Sequence, residues 1–191
     1  MSLTTIARNQ ALDAIGLDSM SLHSAFPGAT GANEISGGGY TRQACTFNAS
    51  SGGVRTVSAV TNFSVGAGTV RWAGLWGGGV FKGYSPNGGS PKEFQVDPAT
   101  DVISVPSHGY SDGETVVFYG GVIPTGLVEG TIYYARDVTT NTFKVAATLG
   151  GLPVDITAVA APDCVVSRIV ESTYGGADTH TINTWSVGLV F

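Results

Sequence analysis

The stretch TVRWAGLWGGGVFKG, residues 69–83, decides how the rest of this chain is arranged. It predicts two short strands joined across three consecutive glycines, and it holds two of the three tryptophans, so it supplies the largest single block of buried aromatic area. Val70, Trp72 and Trp76 share one parity of a period-two strand, and Gly74 leaves room between the indoles for an opposing strand or side chain. We therefore expect the rest of the chain to be arranged around this hairpin.

The composition bounds the class of protein. Charged residues make up 12% of the 191 residues, the formal net charge is −5, and there are 28 glycines. Average domains carry roughly a quarter charged residues, so this surface is typical of a protein packed among neighbours. The Lys and Arg residues are scattered, which excludes a nucleic-acid partner that needs a clustered basic face.

Other sequence features argue against a membrane protein and suggest a role for the two cysteines. No apolar run approaches the roughly 18 residues of a membrane helix, and the N-terminus has no secretory signal, so we expect synthesis in the cytoplasm. Cys45 and Cys164 each lie in a strand-like run and are interpreted as small buried hydrophobes.

One short helix and several antiparallel strands are predicted before the hairpin. Residues 3–15 form the helix, capped by Ser2 or Thr4 and ended by Gly16, and its apolar face packs on the sheet or on a neighbouring subunit. That face contains Leu3, Ile6, Ala7, Ala14 and Ile15. The predicted strands are 19–24 (with Met20 and Leu22 inward), 40–47 and 54–65.

Turn-rich stretches at 84–91 and 174–177 enclose a segment whose predicted strands are shorter and richer in β-branched residues. Six short strands rich in β-branched residues predict a small closed or nearly closed barrel there. They are 102–105, 115–119, 131–136, 142–146, 154–156 and 164–169.

The chain ends on an apolar strand with one strongly hydrophobic parity, formed by Trp185, Val187, Leu189 and Phe191. Because a bare hydrophobic edge aggregates, this strand is expected to pair beside Trp72 and Trp76 in the first sheet. The predicted fold is therefore mainly β: an antiparallel β-sandwich domain (1–94 and 170–191) with a short N-terminal helix, and an inserted small β-barrel domain (95–169).

Residues 21–43, SLHSAFPGATGANEISGGGYTRQ, carry a family resemblance together with Ala11-Leu-Asp-Ala14, Gly74-Leu-Trp76 and the closing strand. The chain resembles a family of small virion proteins of tailed bacteriophages that are labelled tail-fibre or head-decoration (cement) proteins. The resemblance covers residues 3 to about 83 and the last dozen or so. The segment between them looks like a separate module that recurs in phage tail and fibre proteins.

That resemblance implies a non-enzymatic structural protein of the virion, made in the host cytoplasm, with other virion proteins as partners. It implies a homotrimer, with no catalytic residue, cofactor or metal to carry over, and leaves head and tail locations open. The sandwich would anchor the protein to the particle. The candidate assembly or core residues are Leu3, Ile6, Trp72, Trp76, Trp185, Val187, Leu189 and Phe191.

The sequence offers weak signals for catalysis. Gly109-Tyr-Ser-Asp-Gly113 matches the Gly-x-Ser-x-Gly nucleophile elbow, but the elbow needs a strand-to-helix turn, whereas another strand is predicted after it. The three histidines, His23, His108 and His180, lack metal-ligand spacing. Four acids fit solvated turns as well as they fit glycoside chemistry: Asp97, Asp101, Asp112 and Glu114. Glu34 and Arg42 are predicted to pair and hold the loop between them.

A glycan- or receptor-binding adhesin is the alternative function. Its evidence is a set of tyrosines that would stack on sugars if they were exposed, and that would otherwise pack in the core. They are Tyr84, Tyr110, Tyr119, Tyr133 and Tyr134, of which Tyr110, Tyr133 and Tyr134 are the candidate receptor contacts.

Overall fold

The computed structural model describes residues 4–188, and these form a mainly β protein with antiparallel sheets and one α-helix. The helix α1 is Thr5–Ala14. The strands are β1 (Ser19–His23), β2 (Gln43–Ala44), β3 (Val54–Thr56), β4 (Thr61–Val65), β5 (Gly68–Val70), β6 (Trp72–Gly77), β7 (Val80–Pro86), β8 (Lys92–Glu93), β9 (Gln95–Asp97), β10 (Val102–Ser104), β11 (Thr115–Tyr119), β12 (Ile132–Arg136), β13 (Thr142–Ala146), β14 (Val165–Arg168), β15 (Ser172–Tyr174), β16 (Asp178–Ile182) and β17 (Ser186–Gly188).

The chain divides into two compact units. The first runs up to Ser85 and resumes at Glu171, and the second is Pro86–Val170. Each unit has its own cluster of buried apolar side chains. Independent folding of the two units, and the packing of the first as a sandwich, stay predictions.

The helix is confirmed, but its predicted apolar face does not pack on the sheet of the same chain; packing of that face on a neighbouring subunit stays a prediction. The Thr4 hydroxyl accepts the Ala7 N–H at 3.3 Å, and Gly16 ends the helix with a φ of +65°. Ile6 is 71% exposed and Leu12 is fully buried. Polar contacts set this rotation, because Asn9 bonds to Ser50 and Gly53 while the Arg55 guanidinium bonds to the Leu12 carbonyl. Leu3 lies outside the described residues.

The glycine-joined hairpin is confirmed as β6 and β7, within a four-stranded sheet of order β2-β1-β6-β7. The turn uses Gly78 and Gly79 at φ +58° and +76°, values that favour glycine. β6 is buried along its whole length. In β1 the predicted inward residues Met20 and Leu22 are buried. Ser21 and His23, on the other face of the strand, are buried as well.

The C-terminal segment pairs with the middle of the first unit. β15, β16 and β17 run antiparallel to β5, β4 and β3, from Ser172 opposite Val70 to Gly188 opposite Val54. The predicted pairing of the last strand beside the tryptophans of β6 is wrong, because β1 and β7 already occupy both edges of β6. Leu189 and Phe191 lie outside the described residues.

Two predicted strands of the first unit are shorter than expected. Residues 40–47 pair with β1 only at β2, because the Tyr40 hydroxyl accepts the Leu22 N–H at 2.9 Å where a strand backbone would otherwise bond. Residues 54–65 divide into β3 and β4. Between them the N–H of Val57 bonds to the Trp185 carbonyl and that of Ser58 bonds to the Thr46 carbonyl, so consecutive residues serve two different neighbours.

The second unit is one seven-stranded sheet of order β8-β14-β11-β12-β13-β10-β9. A closed barrel is not formed, because no ladder joins β8 to β9 among the described residues and these two very short strands are separated only by the buried Phe94. Five of the six predicted strands are confirmed. The sixth, 154–156, is not a strand: Ile156 is fully buried, and its N–H bonds to an Asp101 carboxylate oxygen at 2.8 Å.

We predict that Gly74→Ala destabilises the first unit by about 1–3 kcal/mol, the usual cost of overpacking. A Cβ at residue 74 would lie 2.5 Å from the Ser21 hydroxyl oxygen, 2.6 Å from His23 Nε2 and 2.7 Å from the Phe81 ring. Gly83→Ala is the matched control in β7, because a Cβ there meets no atom within 4 Å. Chemical denaturation measures both. Equal free energies of unfolding for the two variants would contradict the packing described here.

Candidate functional site

A chain of directed hydrogen bonds lies on the face of β1 opposite Met20 and Leu22. Trp76 Nε1 donates to the Ser21 hydroxyl at 2.7 Å, and Ser21 Oγ lies 2.7 Å from His23 Nε2. His23 Nδ1 lies 2.7 Å from the Ala32 carbonyl, which only accepts, so Nδ1 carries the proton. Nε2 is then the acceptor and the Ser21 hydroxyl donates to it. Ser21 and His23 are fully buried with every polar atom of the chain satisfied.

A second layer of polar contacts covers this chain. Arg42 binds both oxygens of Glu34, with Nη2 to Oε2 at 2.7 Å and Nε to Oε1 at 3.0 Å, which confirms the predicted pair. The guanidinium carbon lies 3.3 Å from the centroid of the Trp76 ring system, a cation–π contact. The Tyr40 hydroxyl donates to Glu34 Oε1 at 3.0 Å. The loop between β1 and β2 is therefore fixed by these side chains together with two backbone hydrogen bonds at 3.0 Å, in which the Ile35 N–H donates to the Leu22 carbonyl and the Ser24 N–H donates to the Asn33 carbonyl.

The distance between Ser21 and His23 is that of a nucleophile and its base, yet the surroundings favour a structural role. Catalysis requires a reacting atom to reach the serine and hydrogen-bond donors to meet the developing oxyanion. Both side chains are fully buried, and the space where a substrate would lie is closed by the Phe81 ring, which contacts His23 and Trp76 edge-on. The pair therefore positions the loop.

The remaining sequence candidates for catalysis occupy turns or the core. Gly113 is followed by β11, not by a helix, so the sequence 109–113 is no nucleophile elbow. His180 bonds to the Tyr174 hydroxyl at 2.8 Å, and His108 accepts the Tyr110 N–H at 2.9 Å. Within residues 4–188 no three His, Cys, Asp or Glu side chains are grouped to hold a metal ion, and no helix is long and apolar enough to cross a membrane.

The four candidate acids each accept hydrogen bonds that stabilise the fold: Asp97 and Glu114 within local turns, and Asp101 and Asp112 between segments distant in sequence. Asp97 accepts the Ala99 N–H and the Thr100 hydroxyl. Asp112 accepts the Val138 N–H at 3.0 Å. Asp101 and Glu114 likewise accept backbone N–H groups, from Ile156 and Ser111. These contacts account for the carboxylates without a catalytic role.

The tyrosines proposed as receptor contacts are mostly buried. Tyr110 is 7% exposed and Tyr133 is 4% exposed, and both belong to the core of the second unit. This burial favours a packing role, and a receptor contact stays a prediction for both. Tyr119 is buried as well, and the half-buried Tyr84 packs against the rings of Phe26, Trp72 and Phe81. Tyr134 is half-buried, and its role as a contact stays a prediction.

The assembly and core candidates fall into three groups. Trp72 and Trp76 are buried, whereas Trp185 and Val187 are half-buried against the core of the first unit. Ile6 is exposed. The other three, Leu3, Leu189 and Phe191, lie outside the described residues, and an assembly role for any of the eight stays a prediction.

Both cysteines are free thiols in buried positions, as predicted. Burial raises the pKa of Cys45 to about 11 and that of Cys164 to about 12. Each thiol therefore stays protonated and unreactive at neutral pH.

Comparison with known proteins links the polar site to a phage family. Residues 3–81 match the model of a family described as Podophage GP4 fiber I protein gp80. The predicted resemblance to a tailed-phage virion protein family is confirmed. The match spans α1 and the loop held by Glu34 and Arg42, and it ends inside β7. No curated protein and no solved structure matches the chain.

The buried histidines make stability depend on pH. Desolvation lowers the pKa of His23 and of His180. In the unfolded chain their pKa is about 6.5, so below that pH the unfolded state binds more protons than the folded state. Their contribution to stability is complete above that pH and is lost as the pH falls towards the lowered pKa values of the folded state.

We therefore predict that the free energy of unfolding decreases from about pH 7.5 to about pH 5.5, the range in which unfolded histidine gains its proton. His23→Gln and His180→Gln should each remove part of this slope, and the double variant should be nearly flat. Denaturant titrations at several pH values provide the measurement. A slope that survives in the double variant, or a wild type that is more stable at the lower pH, would contradict the assignment.

Proposed function

We propose that the protein is a non-enzymatic structural component of a tailed-bacteriophage virion, and specifically of a tail fibre. The observation that carries this proposal is the match of residues 3–81 to a family described as a fiber protein. The site geometry supports it, because the Ser21–His23 pair is sealed and its hydrogen bonds hold a loop instead of facing a substrate. A head-decoration or cement role fits the same architecture, and we favour the fibre because of the family description.

We further propose that the first unit anchors the protein to other virion proteins and that the second unit is an inserted module. The family match lies within the first unit and excludes residues 86–170. The low content of charged residues, 12%, favours a surface completed by neighbouring copies, and the homotrimer comes from the family resemblance. The host-cytoplasmic synthesis follows from the same proposal.

The ends of the second unit are joined to each other. The Val170 N–H bonds to the Asn87 carbonyl at 2.8 Å, and the Asn87 side-chain amide donates to the Val170 carbonyl at 2.8 Å. A short linker therefore spans the gap that would be left by removing the unit, and loop-closure entropy changes little.

We predict that replacing residues 86–170 by a short Gly/Ser linker leaves a folded first unit. Near-UV circular dichroism should retain the signal of the packed tryptophans, and thermal unfolding should stay cooperative. Gly74→Ala introduced into this shortened chain should lower its melting temperature as it does in the full chain. An unfolded shortened chain, alongside a full chain that tolerates point changes in the second unit, would contradict the division into anchor and insertion.

Location on the particle tests the function itself. Immunogold labelling with antibodies against the first unit should decorate the tail fibres of purified virions, and light scattering coupled to size exclusion should give the mass of three chains for the isolated protein. Gold particles on the head would show that the protein is a head-decoration protein and not a fibre component. A monomer that is absent from purified virions would overturn the proposed function.

A further inference from the structure

The first unit contains a surface cavity of about 250 Å³ that the structural role leaves unexplained. It lies between the loop that carries Glu34 and Ser36 and the turn from β4 to β5, with Tyr174 of β15 at one side. Ser36, Ala67 and Gly68 are exposed and form its rim. The position of residue 68 is open, since a Cβ there would meet no atom within 4 Å.

The charges around the cavity favour a neutral ligand. Glu34 is the one ionisable acid among the described lining residues, and no Lys or Arg is among them. The Glu34 carboxylate is already compensated, because Arg42 binds both of its oxygens and Tyr40 donates to one of them. Because the Glu34–Arg42 pair is neutral overall, neither a cation nor an anion would meet an unpaired opposite charge in the lining.

The lining also has the mixed character that suits a sugar. The Tyr174 ring is half-buried and fixed, because its hydroxyl bonds to His180 Nδ1 at 2.8 Å and its edge meets the imidazole. Ser36 adds a hydroxyl group, and the glycine-rich turn exposes backbone. The hydroxyls of Ser24 and Thr69 also line the cavity; Ser24 donates to the Asn33 carbonyl and Thr69 bonds to the Thr173 hydroxyl, and each oxygen keeps a lone pair to accept a further bond. An aromatic wall with a few convergent polar groups is the usual composition of a small-molecule site.

The volume limits the size of the ligand. Sites for drug-sized ligands measure roughly 300–1,000 Å³, so this cavity suits something smaller. We propose that it binds a single neutral sugar residue, whose C–H face packs on Tyr174 while its hydroxyls meet the serine, threonine and backbone groups. This inference does not depend on the virion function proposed above, and it moves glycan recognition from the tyrosines of the second unit to the first unit.

Saturation-transfer difference NMR on the full chain tests the proposal with the probes glucose, galactose, mannose and N-acetylglucosamine. At least one of them should receive saturation from the protein. Ala67→Trp should abolish the transfer by filling the rim, whereas Ala59→Trp, at another exposed residue outside this cavity, should leave it unchanged. Tyr174→Phe should retain most of the transfer because the ring remains, and Tyr174→Ala should lose it.

The outcomes separate cleanly because thermal unfolding identifies variants that fail to fold. Loss of transfer in folded Ala67→Trp with retention in Ala59→Trp supports the site. The proposal is overturned if no sugar in the panel receives saturation from the wild type. It is equally overturned if Ala67→Trp and Ala59→Trp behave alike, since binding would then lie elsewhere on the chain.

Discussion

The missing side chain of Gly74 is the constraint on which the first unit depends. The hydroxyl of Ser21, the imidazole of His23 and the ring of Phe81 all approach the space that a Cβ would fill. Only with that space empty can the indole N–H of Trp76 reach Ser21 and extend the hydrogen-bond chain to the loop between β1 and β2. Strands β1 and β6 are thus buried on both faces, and no polar group of this hydrogen-bond chain is left unsatisfied.

Much of the fold followed from local sequence patterns. The hairpin, the space at Gly74, the Glu34–Arg42 pair and most strands of the second unit are set by turn glycines, alternation and charge, all of which act over short distances. The failures concern pairing between distant segments. The last strand was predicted to pair with β6. Both edges of β6 are taken by β1 and β7, however, and which strands pair with an edge depends on the whole sheet, not on a local pattern. The C-terminal segment pairs with β3–β5 instead.

The site was predicted less well than the fold. The Ser21–His23 chain was missed, although its signal was present: two polar residues alternate with Met20 and Leu22 in a strand, opposite a glycine between tryptophans. Alternation assigned only Met20 and Leu22 to the core, and the burial of both faces of β1 is a property of the folded sheet that the pattern does not contain. Tyr110 and Tyr133 were predicted as receptor contacts and are buried in the core, because composition alone cannot distinguish an exposed aromatic side chain from a core one.

A serine and a histidine at hydrogen-bonding distance thus have a structural role here, and it is their surroundings, not their identity, that decide this. We propose that this architecture belongs to a virion component. Cryo-electron microscopy of the purified phage tests it most directly. We predict density on the tail fibre into which the four-stranded sheet fits, with Trp76 and Arg42 stacked. A map that resolves every fibre and head protein and contains no such sheet would contradict the claim.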